Sequence, residues 1–86
     1  MKQFNYTIKD ALGFHARPAG KFSKLAKSFE DTTVTLSANG KSVNAGQLMK
    51  LMGMGIKQGT EIAIVCEGAK EVEAAEKLQA FLEAEL

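Results

Sequence analysis

The residues with the clearest chemical potential are His15, the only histidine of the chain, and Arg17, both within Gly13-Phe14-His15-Ala16-Arg17-Pro18-Ala19. A neutral imidazole keeps a lone pair near physiological pH and can attack a phosphoryl group. The residues that follow have an amphipathic helical pattern, which places His15 at a helix start. There the unpaired first-turn amides, those of Ala16 and Arg17 among them, and the positive end of the helix dipole suit a phosphate. Pro18, the only proline, fits a first turn because the N–H it lacks is not needed there. Gly13 allows a tight turn or a close approach just before the histidine. The helix start and the Arg17 guanidinium both disfavour the imidazolium, which keeps the ring nucleophilic, and the same groups can stabilise a phosphoryl dianion on it.

Phosphoryl transfer asks mainly for in-line positioning and charge stabilisation, which a docked protein can largely supply. The chain has no glycine-rich nucleotide loop of the Walker type and no second histidine, so an independent kinase is not expected. Gly53-Met54-Gly55 reads as a turn. One histidine and one strand cysteine supply too few ligands for a metal, and no cofactor is implied. By spacing alone a single loop histidine is more often an inert surface residue. The pattern leaves that reading open beside the chemical one.

The elements around His15 follow from periodicity. Phe4, Tyr6 and Ile8 alternate with Asn5 and Thr7, predicting a strand near residues 3–8 with one buried face. Lys9 to Gly13 is the loop that carries the chain to the histidine. From Pro18 onward, Ala19, Phe22, Leu25, Ala26 and Phe29 form one helical stripe with the lysines outward, and the helix should end near Phe29 or Glu30. Gly20 inside it costs about 1 kcal/mol relative to alanine. Either a close helix contact or the need to leave a docking surface clear would account for it.

Val34 and Leu36 mark a second strand. Asn39-Gly40 is a strong hairpin signal, so residues 41–44 should pair back as a third strand. Leu48 to Met52 predicts a helix of about two turns, and Gly53, Gly55 and Gly59 open the loop that follows. The fourth strand is expected over residues 60–66, with Ile62, Ile64 and Cys66 on one face. Ala69, Val72, Ala75, Leu78 and Leu82 outline a last helix reaching almost to Leu86. The order βαββαβα with alternating strands implies an α+β open-faced sandwich, an antiparallel sheet covered by helices on one face.

Eighty-six residues, 45% apolar and 24% charged, suit a single domain over 1–86. No apolar run approaches the roughly 20 residues of a membrane span, and no signal-peptide core follows the first residues, so the cytoplasm is the expected location. The lone Cys66 cannot form an internal disulfide and reads as a core residue. A net charge of +1 argues against a nucleic-acid binder. Phe4 and Tyr6 fall on the core stripe, leaving no exposed aromatics on the sheet for RNA. Arg17, Lys21, Lys24 and Lys27 follow the histidine without an intervening acid, whereas the stretch after Glu67 is mostly acidic. This asymmetry fits solvated helix faces and equally fits steering of acidic partners toward His15.

The segment Gly13-Phe14-His15-Ala16-Arg17-Pro18-Ala19 resembles the active-site segment of the HPr family of histidine-containing phosphocarriers. Asn39-Gly40-Lys41-Ser42-Val43-Asn44 and Gly55-Ile56-Lys57-Gln58-Gly59-Thr60 also look like HPr segments, in order and at the expected distances. The resemblance covers essentially the whole chain. It implies four antiparallel strands with three helices on one face. It further implies that His15 accepts a phosphoryl group on Nδ1 from enzyme I and passes it to IIA domains of sugar permeases, with Arg17 as the active-site arginine. Gly20, Lys24, Leu48, Met49 and Met52 would then form the partner-docking surface, with Leu51 facing inward. Transcriptional regulators are further candidate partners, and a monomer is expected. A regulatory interaction module of the same fold, or a carrier for a nitrogen-linked branch, is the alternative. One departure stands out: Gln47 occupies the position of the regulatory serine carried by many family members of low-GC Gram-positive bacteria.

Overall fold

The computed structural model describes all residues, 1–86. Its elements are β1 (Lys2–Thr7), α1 (Ala16–Lys27), β2 (Thr32–Ala38), β3 (Lys41–Asn44), α2 (Leu48–Met52), β4 (Glu61–Gly68) and α3 (Glu71–Glu85). The strands form one antiparallel sheet in the order β1-β4-β2-β3, and the α+β sandwich expected from the alternation is the observed architecture. β1 and β2 therefore run parallel with β4 between them, and β3 and β4 run parallel with β2 between them. Each parallel pair is bridged by a helix, α1 for the first and α2 for the second, since two parallel strands cannot be joined by a tight turn.

The strand registers explain which face is covered. Phe4 stands opposite Ile64, Ile64 opposite Leu36, and Leu36 opposite Val43, a single apolar row across all four strands. Ile62, Ile64 and Cys66 are fully buried against the helices. On the other face Asn5, Thr7, Thr33 and Ser42 are exposed. Phe4 and Tyr6 are half-buried and pack against the core cluster, so they are not displayed on the open face. The Asn39-Gly40 turn has φ of 53° and 77°, the paired positive values that a two-residue type I′ hairpin requires.

The helices differ from expectation in phase and length. α1 begins at Ala16, two residues ahead of Pro18, and ends at Lys27. Phe29 is still buried, although it lies beyond the helix. Ser28 closes the helix end, its N–H and its hydroxyl both donating to the Leu25 carbonyl at 3.0 and 2.6 Å. α2 has five residues and falls short of two turns. In α3 the buried residues are Ala74, Leu78 and Leu82, while Val72 is 51% exposed and Ala69 precedes the helix. Of the expected stripe Ala75, Leu78 and Leu82 pack in or against the core, Ala69 and Val72 do not, and Ala74 and Phe81 join it. No helix is long and apolar enough to cross a membrane.

At the start of α3 the Glu71 carboxylate accepts hydrogen bonds from the Met1 ammonium and, at 3.3 Å, from the Gly68 N–H. These bonds, the ammonium first, outweigh partial desolvation and hold the Glu71 carboxyl below its ordinary value of 4.5. A carboxyl lowered in the folded state adds stability above its unfolded pKa and loses it as pH falls through the folded value. Urea midpoints of the native chain should therefore decline more steeply between pH 5 and pH 3 than those of Glu71→Gln (about that window). Equal acid slopes for the two proteins would refute this role.

Candidate functional site

His15 is the residue immediately before α1, with extended φ and ψ of −84° and −179°. Its carbonyl already accepts the first helical hydrogen bond, from the Ala19 N–H at 2.9 Å. No side chain caps this helix start and no acid lies in its first turn. Pro18 has no N–H, and the Ala16 and Arg17 amides have no backbone acceptor, as the geometry of a first turn dictates. Both of the amides singled out from sequence are therefore unpaired, directly after His15 in the chain. His15 is half-buried and Arg17 is exposed. Arg17 takes part in none of the three ion pairs.

The approach to His15 is braced over its whole length. Ile8 donates to the Thr60 carbonyl at 3.0 Å and accepts from the Gly59 N–H at 2.8 Å. The Lys9 and Asp10 amides both donate to the Leu86 carbonyl, at 2.7 and 2.9 Å, and the Gln58 side chain donates to the Lys9 carbonyl. Asp10 to Gly13 closes a turn through a 2.9 Å bond. Gly13 has φ of 68°, and a β-carbon there would stand 2.6 Å from the Ile56 carbonyl oxygen. Phe14 then donates to that same oxygen and buries its ring edge-on against Phe22, at 5.4 Å between centroids. The histidine is thus flanked by a buried Phe14 on one side and a buried Pro18 on the other.

The remaining candidate residues fall as follows. Met49 is 82% exposed and Met52 42%, whereas Leu51, expected to face inward, is 1% exposed. Leu48 is half-buried and packs against the core. Lys24 is exposed on α1. Gly20 has no atom within 4 Å of where a β-carbon would stand, which removes the close-packing explanation. Gln47 is the residue before α2, and its side chain makes no capping bond.

Two features were missed from sequence. Leu12 is 75% exposed three residues before His15, and Met54 and Ile56, in the segment after α2, are buried. No periodic signal exists in such segments to reveal either. His15 lines neither of the two surface concavities, and no group of three or more His, Cys, Asp or Glu side chains gathers as a metal site. Burial raises the pKa of the Cys66 thiol, with the Glu71 charge adding to it, which agrees with a core role for the cysteine.

The model of the family described as the PTS HPr component phosphorylation site matches residues 2–84. The chain belongs to the HPr family. It is 42% identical over 82 residues to the phosphocarrier protein HPr of Vibrio cholerae, covering 95% of this chain and 93% of that one. It is 37% identical over its full length, and the other's, to the HPr-like protein Crh of Bacillus subtilis. The crystal structure of HPr-C-His from Thermoanaerobacter tengcongensis superposes with a TM-score of 0.92 at 34% identity, over 98% of this chain and 93% of that one. HPr is a phosphocarrier family of the phosphotransferase system and not one of catalytic enzymes.

The contrast between Gly13 and Gly20 is open to measurement. Gly13→Ala meets both a positive φ and the Ile56 carbonyl, so it should lower stability by more than about 1 kcal/mol. Gly20→Ala enters open space on a helix and should raise it by up to about 1 kcal/mol. Thermal midpoints shifting in the same direction for both variants would contradict this assignment.

Proposed function

We propose that this chain is a phosphocarrier that takes a phosphoryl group on His15 from phospho-enzyme I and hands it to IIA domains of sugar permeases. The observation that carries the reading is the position of His15 directly before α1, beside the unpaired amides of Ala16 and Arg17. In the forward step the Nδ1 lone pair bonds to phosphorus as the bond to the donor breaks, with the two partners in line. The Ala16 and Arg17 amides and the guanidinium of Arg17 then stabilise the transferred charge. The acceptor step is the same exchange in reverse.

His15 lines neither surface concavity, so in this reading the site is enclosed only when a partner docks. The partner supplies the enclosure, and Gly20, Lys24, Leu48, Met49 and Met52 receive it. Methionines suit a surface that must fit several partners. Exposed Arg17 and Lys24 steer acidic partner surfaces toward the site. We read the whole chain as one domain acting in the cytoplasm as a monomer that relies on its partners for catalysis.

A regulatory module of the same fold is the second reading, favoured by the full-length likeness to Crh. Gln47 weakens its serine-dependent form, because an amide side chain cannot accept a phosphoryl group from a serine kinase.

Incubation with phosphoenolpyruvate and enzyme I should add one acid-labile, base-stable phosphate to the chain, and His15→Ala should abolish it. An unlabelled native chain, or a labelled His15→Ala variant, would overturn the carrier assignment. With ATP and an HPr serine kinase no phosphate should appear on any serine, whereas Gln47→Ser should become labelled. A mass increase on the native chain under those conditions would restore the regulatory reading.

A further inference from the structure

We propose that Met49 and Met52 form a reversible oxidation site, at which hydrogen peroxide converts the thioethers to sulfoxides and so weakens partner docking without disturbing the fold. For its effect on docking the inference rests on the carrier reading. The chain holds its sulfur in four methionines and one cysteine. Cys66, whose thiolate would react first, is sealed in the core at 0% exposure, and burial raises its pKa, so it offers a peroxide neither access nor charge. Met54 is buried as well, at 8%. The methionines that solvent reaches are Met1, Met49 and Met52, and two of these three stand on the one short helix α2.

That helix separates anchoring from display. Leu51 is buried and Leu48 packs against the core cluster, whereas neither Met49 nor Met52 belongs to the cluster or packs against it. The backbone is fixed on both sides: the Leu51 N–H donates to the Gln47 carbonyl at 3.0 Å, and the Met49 carbonyl accepts from the Gly53 N–H at 3.1 Å. Oxidation at the two methionines therefore alters the surface and leaves the frame in place. In the step, a sulfur lone pair attacks one oxygen of hydrogen peroxide. An S–O bond forms as the O–O bond breaks, and the departing hydroxide takes the proton from the transferred oxygen and leaves as water. Sulfur is oxidised by two electrons and the peroxide is reduced by the same two. The product presents a polar, chiral sulfoxide where a flexible apolar side chain stood, and burying that oxygen in an interface without a donor is unfavourable. A methionine sulfoxide reductase reverses the step, releasing the oxygen as water while a dithiol becomes a disulfide.

The test has two arms. The native chain is treated with hydrogen peroxide and its methionines are followed by mass spectrometry. Met49, 82% exposed, should gain one oxygen before Met52, 42% exposed, and Met54 should gain none until urea unfolds the chain. The treated chain is then phosphorylated with phosphoenolpyruvate and purified enzyme I. Its KM should be about tenfold above that of the untreated chain, the change expected for burying an unpaired polar group. The thermal midpoint should not move, and reductases for both sulfoxide epimers with dithiothreitol should return KM to its starting value. A double variant, Met49→Leu with Met52→Leu, is compared with its own untreated KM. Peroxide should leave that value where it was, although Met1 at the far end of β1 is still oxidised.

Oxidation of Met54 in the folded chain as fast as Met49 overturns the proposal. A lowered thermal midpoint after treatment does the same, since it would place these methionines in the frame. So does a double variant whose KM still rises with peroxide, which would trace the effect to another residue. If the untreated native chain takes up no phosphate, the carrier reading falls and the effect on docking falls with it. If the untreated chain is phosphorylated and the oxidised chain keeps its KM, only this inference fails.

Discussion

The approach of Gly13 to the backbone of Ile56 and Lys57 is the constraint on which the site depends. No other residue could sit 2.6 Å from a carbonyl oxygen at its β-position, and the positive φ excludes most side chains independently. The close approach lets the Phe14 amide reach the Ile56 carbonyl, and Phe14 then turns its ring into the core against Phe22. Ile56 is itself buried. One hydrogen bond and one aromatic contact therefore pass the position of the core to the residue before His15, and α1 starts one residue after it. The histidine is placed by packing, although its own side chain belongs to no core.

This separation of frame from site fits what a carrier must do. A phosphoryl group held too tightly would not be surrendered, and a site built from two free amides and one exposed guanidinium offers limited stabilisation. Proline at the third helical position keeps the number of free amides low, since Pro18 contributes none. In the proposed transfer the docked partner adds the further stabilisation, since exclusion of water strengthens each charge interaction. A rigid approach loop also matters for this exchange, because in-line attack tolerates little misplacement.

The sheet, the hairpin and the position of the histidine were legible because each had a local physical signal. Alternation sets which strand face is buried, and Asn39-Gly40 has a turn type that demands those residues. The start of α1 was less legible. Proline is tolerated anywhere in a first turn, so Pro18 fixes the boundary only to within a turn, and His15 provides no side-chain cap to mark it. The end was overestimated because Phe29 is buried outside the helix, where an apolar stripe cannot tell helix from turn. In α3 small alanines lie on both faces, so Ala74 and Ala75 support two phases of the same pattern. Both alanines meet the core, Ala74 within the cluster and Ala75 packed against it, so the two phases differ in the structure only at Ala69 and Val72.

The middle helix joins the core and the proposed docking surface in one element. A helix of five residues has no stability of its own, because nucleation consumes the few hydrogen bonds it can form. α2 exists because Leu51 is buried to 1% and because Leu48 leans on the same cluster. The exposed Met49 and Met52 are presented from that anchored turn. Their flexibility lies in the side chains, while the backbone that displays them is fixed from beneath. A surface of this kind can adjust to differently shaped partners without disturbing the frame that holds His15. On this one short helix the inward leucine answers to stability, and the outward methionines are the residues proposed for recognition.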